Sequence, residues 1–204
     1  RARLQLSYQP GVQDFERYPG KSVKASVARA LRAWCTPHDE IVADVERIVQ
    51  DGFKDRPALG VHVRLTDAAA GAEGRKTLDL KAYLEAVDEQ RAAMPDSMIY
   101  LASDDQRVVQ AFEERYPGLV ASQDCTRSED GTSIHGHYDQ GIDVSPYLKG
   151  REVLIDALVL ARCAFLIRTH SRVTCFTLCW NTALPYRDLE RERLGVDRTP
   201  WLHE

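Results

Sequence analysis

From His38 to Trp180 the chain alternates between two textures: amphipathic stretches and short, nearly continuous apolar runs. Ile41, Val45, Ile48 and Val49 recur at the spacing of one helix face, which predicts a helix over 38–50. Leu80, Tyr83, Leu84 and Val87 do the same within a helix predicted over 78–94. A third helix is predicted over 105–116, where Pro117 and Gly118 end it, and two more over 150–162 and 171–180. The apolar runs between them predict strands over 59–64, 98–103, 119–122 and 164–168. Residues 123–147 read as a long polar loop. Before Pro37 the chain is irregular apart from a short helix over 23–34, and after Pro185 a polar tail is predicted helical to Leu194.

Strands that alternate with helices imply an α/β, Rossmann-like fold, a mostly parallel sheet with helices on both faces. Runs such as "LGVHV", "MIYLA" and "AFLIR" lack strict polar alternation, as expected for strands buried on both sides. The chain divides on this reading into an irregular, helical N-terminal segment (1–50), the Rossmann-like domain (51–185) and a C-terminal tail (186–204).

Composition narrows the function classes. The 204 residues suffice for one substantial domain, and 44% hydrophobic with 28% charged residues is ordinary for a globular protein. A net charge of −4 argues against a general nucleic-acid binder, because phosphate backbones need a basic surface. No window approaches the apolar length of a membrane span. The chain starts at Arg1 without a signal-peptide pattern, so it reads as processed or as a fragment. Five cysteines with no C-x-x-C pair argue against a zinc site or disulfide framework, and Cys163 and Cys175 read as small buried hydrophobes.

Ligands of open parallel sheets bind at the carboxyl ends of the strands, which singles out four places. His62 and Arg64 lie two apart, on one face of the first strand's end, with Thr66 and Asp67 just beyond. The Arg64 fork suits a phosphate, or equally a structural carboxylate. At the end of the next strand, "ASDD" (102–105) offers Ser103 or Asp104 as a helix cap, or as chemistry. Asp156 inside "VLIDALVLA" accepts but cannot donate; it either grips adjacent donors such as a guanine edge or turns to solvent. "RTHSRV" places Thr169, His170 and Ser171 where a strand ends and a helix starts, a Ser cap or an anion site. "HGHYD", with His135 and His137, lacks a second cluster to complete a metal shell, so no metal is assigned. No G-x-G-x-x-G, G-x-S-x-G or P-loop motif occurs, so no dinucleotide cofactor is expected.

Taken in order, "LGVHVRLTD", "IYLASDD", "SIHGHYDQ" and "VLIDALVLARCAFLIRTHS" resemble the donor-binding half of GDP-fucose-dependent fucosyltransferases, closest to the core α1,6 enzymes and the rhizobial nodulation enzyme. The resemblance spans about residues 50–182. It implies the donor domain of a GT-B glycosyltransferase that moves fucose from GDP-fucose to a glycan hydroxyl, with inversion, without metal and without a cofactor beyond the donor. It gives His62 and Asp156 to guanine, Arg64 to the β-phosphate, and Thr169, His170 and Ser171 to the phosphates. Asp67 would order the loop after Arg64, and Glu73 would be the acceptor base. Asp104, Asp105 and His135 would be structural or acceptor-facing. Two departures stand out: Ala68 follows Asp67 where the α1,6 members have a lysine, and only about fifty residues precede the first motif. They leave a second reading beside the enzyme, a non-catalytic module of a larger assembly. In either case another chain could supply the acceptor side.

Overall fold

Why "ALGVHV" becomes a central strand is visible in its burial: all six residues of β1 (Ala58–Val63) are enclosed. The computed structural model describes residues 22–65, 78–131 and 145–203. Around β1 the chain builds β2 (Met98–Ser103), β3 (Val120–Ala121), β4 (Phe165–Arg168) and β5 (Tyr186–Asp188). The sheet order is β3-β2-β1-β4-β5, and every pairing is parallel. The helices are α1 (Val23–Trp34), α2 (Asp39–Phe53), α3 (Leu80–Ala93), α4 (Gln106–Arg115), α5 (Pro146–Leu160), α6 (Arg172–Trp180) and α7 (Leu189–Leu194), followed by a 3₁₀ turn at Pro200–Leu202.

Strand alternation sorts the core into two layers. Ala58, Met98, Tyr100, Ala102 and Leu166 face one apolar cluster with residues of α2, α5 and α6. Leu59, Val61, Val63, Ile99, Leu101 and Ile167 face the other, with α3, α4 and Leu189 of α7. Gly60 falls on the first face, where a Cβ would stand 3.0 Å from both Leu160 Cδ2 and Cys163 Sγ. The bare backbone lets the end of α5 settle onto β1. The α/β class and parallel sheet expected from the sequence are therefore what the chain adopts.

Local chemistry marks most boundaries. Asp79 accepts from Ala82 N, Asp105 from Arg107 N, and Ser171 from Val173 N, each a side-chain cap at a helix start. The helix over 23–34 and the strand over 98–103 lie where they were expected. Three expectations change. The helix predicted from Gly150 starts at Pro146, because proline fits a first helical position that needs no donor. The strand over 119–122 contracts to Val120–Ala121. The tail is not helical from Pro185: Tyr186–Asp188 pairs with β4 as the fifth strand before α7 begins. These three residues carry no apolar run, so tertiary pairing, not periodicity, makes them a strand. Cys163 is buried as expected, whereas Cys175 is only half-buried. All five cysteines are free. Among the described residues no helix is long and apolar enough to cross a membrane.

Candidate functional site

The sheet order reverses between β1 and β4: from β1 the chain moves to β2 and β3, then crosses back to β4 and β5. Helices on opposite faces diverge at such a point and leave a crevice beyond the strand ends. Residues from the end of β1 line a cleft of about 90 Å³ with Ser103, Asp104, Asp156 and Val173. Val173 belongs to the first turn of α6, directly after β4.

His62 is the penultimate residue of β1, 6% exposed, on the face that packs α5. Its Nδ1 is buried and has no hydrogen-bond partner among the described residues. Burial, with the charges of Arg64 and Arg168, pushes its pKa down to about 4. The imidazole is therefore neutral near pH 7, with one nitrogen donating and the other accepting. Arg64, one residue past the strand, is half-buried and lines the same cleft.

Asp156 reaches the cleft from α5. Its Oδ1 accepts from the Tyr100 hydroxyl at 2.7 Å, its single hydrogen bond among the described residues. Burial pushes the carboxyl up to about 7, against the pull of the Tyr100 hydrogen bond and the Arg127 charge. A carboxylate with free acceptor capacity and a neutral imidazole thus face one crevice beside a guanidinium. The arrangement can receive the N–H donors of a flat heterocycle and the charge of a phosphate in one ligand.

The two acids ending β2 have separate fates. Asp104 lines the cleft. Asp105 is 1% exposed, caps α4 and takes two bonds from the Arg107 guanidinium, at 3.0 and 2.7 Å. The Arg107 hydrogen bonds hold its carboxyl below the usual range.

At the end of β4 most polar groups are engaged within the protein, although Arg168 Nε is buried with no hydrogen-bond partner among the described residues. Thr169 Oγ1 bonds the Tyr83 hydroxyl at 3.0 Å. The His170 backbone N–H donates to Glu190 Oε2 at 2.9 Å. Ser171 Oγ accepts from Val173 N at 3.2 Å, which makes it a helix cap whose own O–H can still donate. The turn lies beside the end of β1, since β1 and β4 pair through Val61 and Ile167. Thr66, Asp67, Glu73 and His135 lie outside the described residues. Among the described residues no group of acids, histidines and cysteines is arranged to hold a metal.

Sequence reasoning missed two residues. Tyr100 could have been found as the hydroxyl on the His62 face of an otherwise apolar strand, since His62 is paired with Ala102 two positions on. Arg168 was passed over as the start of a turn motif. It is fully buried, donates to Asp188 Oδ2 at 2.5 Å and Thr199 Oγ1 at 2.8 Å, and stands over the Tyr186 ring. A larger surface groove, about 640 Å³, lies beside β5, where Tyr186 and Arg191 both bond His203.

The family model of α-(1,6)-fucosyltransferase N- and catalytic domains matches residues 14–180. The chain belongs to this family. Its fold is similar to that of the NodZ α-1,6-fucosyltransferase co-crystallised with GDP, at 24% identity and a TM-score of 0.50, over 74% of this chain and 44% of that one. It is similar also to the fucosyltransferase NodZ from Bradyrhizobium, at 22% identity and a TM-score of 0.50, over 76% of this chain and 45% of that one. POFUT1 in complex with GDP aligns at 10% identity and a TM-score of 0.46, over 73% of this chain and 46% of that one. The family member described here thus spans less than half the length of the solved structures it resembles. No curated protein matches it.

Proposed function

We propose that the chain is the donor-binding part of a fucosyltransferase that moves fucose from GDP-fucose to a glycan hydroxyl. The observation that carries this reading is the pairing, in one crevice at the sheet's reversal point, of an imidazole whose buried Nδ1 has no partner and a carboxylate with a single hydrogen bond, both among the described residues. Buried polar groups are nearly always satisfied, and here guanine and phosphate would complete the set. His62 and Asp156 contact guanine. Arg64 binds the β-phosphate and meets the charge that grows on the departing GDP. A fixed cation there favours the transition state over the ground state. Thr169, His170 and Ser171 surround the phosphates, with the first-turn amides of α6 adding their dipole.

Transfer is a single displacement that inverts the fucose anomeric carbon. Glu73 takes the proton of the attacking hydroxyl, and Asp67 orders the loop between it and Arg64. Asp104 faces the acceptor, whereas Asp105, pinned by Arg107, serves the scaffold. His135 stands on the acceptor side. Guanidinium and helix amides, rather than a metal ion, take the diphosphate charge. The acceptor side comes from outside residues 51–185, from this chain or another.

The runner-up is a non-catalytic module that binds a GDP-sugar or nothing and serves as a subunit of a larger assembly, favoured by Ala68 standing where the α1,6 enzymes it resembles have a lysine. Thermal shift with GDP, GDP-fucose, GDP-mannose and UDP tests the cradle. Ligand at 100 times its dissociation constant stabilises the fold by about 2.7 kcal/mol. Stabilisation by guanine nucleotides and not by UDP is expected; no response to any of them sinks the enzyme reading and leaves the module. Release of GDP from GDP-fucose on addition of a glycan acceptor then separates enzyme from module.

A further inference from the structure

Tyr100 and Asp156 come from elements 56 positions apart, yet their side chains meet at 2.7 Å beneath the cleft. The phenol ring is fully buried, tilted against Phe53 at 6.2 Å between centroids, so its hydroxyl has little freedom. Tyr100 engages Oδ1 of Asp156, whereas Oδ2 has no protein donor among the described residues, and the residue lines the crevice. We propose that Tyr100 is the positioning residue of the base-reading carboxylate: its hydroxyl clamps Asp156 so that a purine bearing adjacent ring N–H and amino donors is read and one lacking the amino group is not. The inference rests on the guanine reading of the cleft.

The clamp also makes recognition respond to protons. To accept two donors Asp156 must be ionised, because a protonated carboxyl offers a donor where an acceptor is needed. Several groups set that ionisation. Tyr100 faces it from β2, Cys125 and Arg127 from the segment after β3, and Glu152 from α5 itself. His62 and Arg64 face it across the cleft. Of these, Tyr100 donates directly to the carboxylate and favours its charged form. Losing that bond leaves a half-buried charge with no protein donor among the described residues.

The test is Tyr100→Phe, which keeps the ring against Phe53 and removes only the hydroxyl. Two measurements run from pH 5.5 to 9. One is a carbon-13 NMR titration of the ligand-free Asp156 carboxyl, assigned by its loss in Asp156→Asn. The other is calorimetric binding of GDP and of inosine diphosphate, which lacks the amino group. In the wild type the carboxyl should titrate near pH 7, with GDP affinity falling below that pH by about tenfold per pH unit. In Tyr100→Phe both midpoints should rise by about one pH unit. GDP should then bind about fivefold more weakly at pH 7 and exceed inosine diphosphate by a smaller factor. If the wild type binds GDP and the Phe variant matches its titration and its nucleotide preference, the clamp is wrong. If the wild type binds GDP at no pH, the guanine reading falls and this inference with it.

Discussion

The ends of two neighbouring strands, β4 and β1, differ in how far the protein satisfies the polar groups gathered there. Arg168, at the end of β4, is locked by Asp188 and Thr199, while Tyr83 holds Thr169, Glu190 holds the His170 amide, and Ser171 caps α6. At the end of β1, Arg64 is half-buried, the adjacent His62 Nδ1 has no partner among the described residues, and Asp156 has a single donor there. A polar network in which most members are satisfied, as at the β4 end, specifies and rigidifies a fold. An incomplete one in a crevice leaves polar capacity for a ligand. The difference teaches that the chemistry of residue types at strand ends is insufficient to find a site. What separates scaffold from site is whether the protein supplies the partners.

The sharpest way to break the comparison is Arg168→Ala. It strands the buried Asp188 carboxylate and should cost about 3–5 kcal/mol of stability, read by urea unfolding. An unchanged midpoint would show that the β4 end is not scaffold. Arg64→Ala should act on the ligand: GDP binding by calorimetry should weaken by about 1.5–3 kcal/mol. Arg64→Lys should recover only part, because the planar fork is lost.

A subtler contrast lies in pH. The Asp156 carboxyl is raised from 3.8 to about 7, so the folded chain keeps a proton that the unfolded chain has released. Its contribution therefore makes stability fall as pH rises from about 4 to 7. His62 is lowered from 6.5 to about 4, so the unfolded chain takes up a proton first. Its contribution makes stability rise over about pH 4 to 6.5. The two oppose each other in the wild type. Asp156→Asn should expose the rising limb and His62→Gln the falling one, in denaturant midpoints taken across pH 4–8. Parallel profiles in all three proteins would contradict the burial assigned to both groups. The smallest effect is expected from Ser171→Ala, about 1 kcal/mol for a lost helix cap. If the hydroxyl also serves a phosphate, GDP affinity drops with it; if only stability changes, Ser171 belongs wholly to the β4 scaffold.

Much of this was legible in advance. Ile41, Val45 and Ile48 announced α2, and "LGVHV" announced a strand buried on both faces, because burial of one helix stripe or both strand faces leaves a local period. His62 and Arg64 stood out as polar residues at the end of such a strand. Asp156 stood out as a carboxylate in an apolar helix. The cap of α4 was expected at Ser103 or Asp104 and falls one residue on, at Asp105, which was legible only as a structural or acceptor-facing acid until the Arg107 bonds placed it. β5 was hidden, because Tyr186–Asp188 has no apolar period and owes its conformation to β4.

By itself, then, the order of residues determined the α/β class, the strand succession through β4 and the polar side chains that could serve a nucleotide, since these follow from periods of two and 3.6 and from side-chain chemistry. The tertiary structure alone decided which of them are spoken for. Arg168 is silenced by partners 20 and 31 positions away, and Asp156 is oriented by one 56 positions away. Partners that distant leave no trace in local spacing, and only the crossover that brings β4 beside β1 puts them within hydrogen-bond reach.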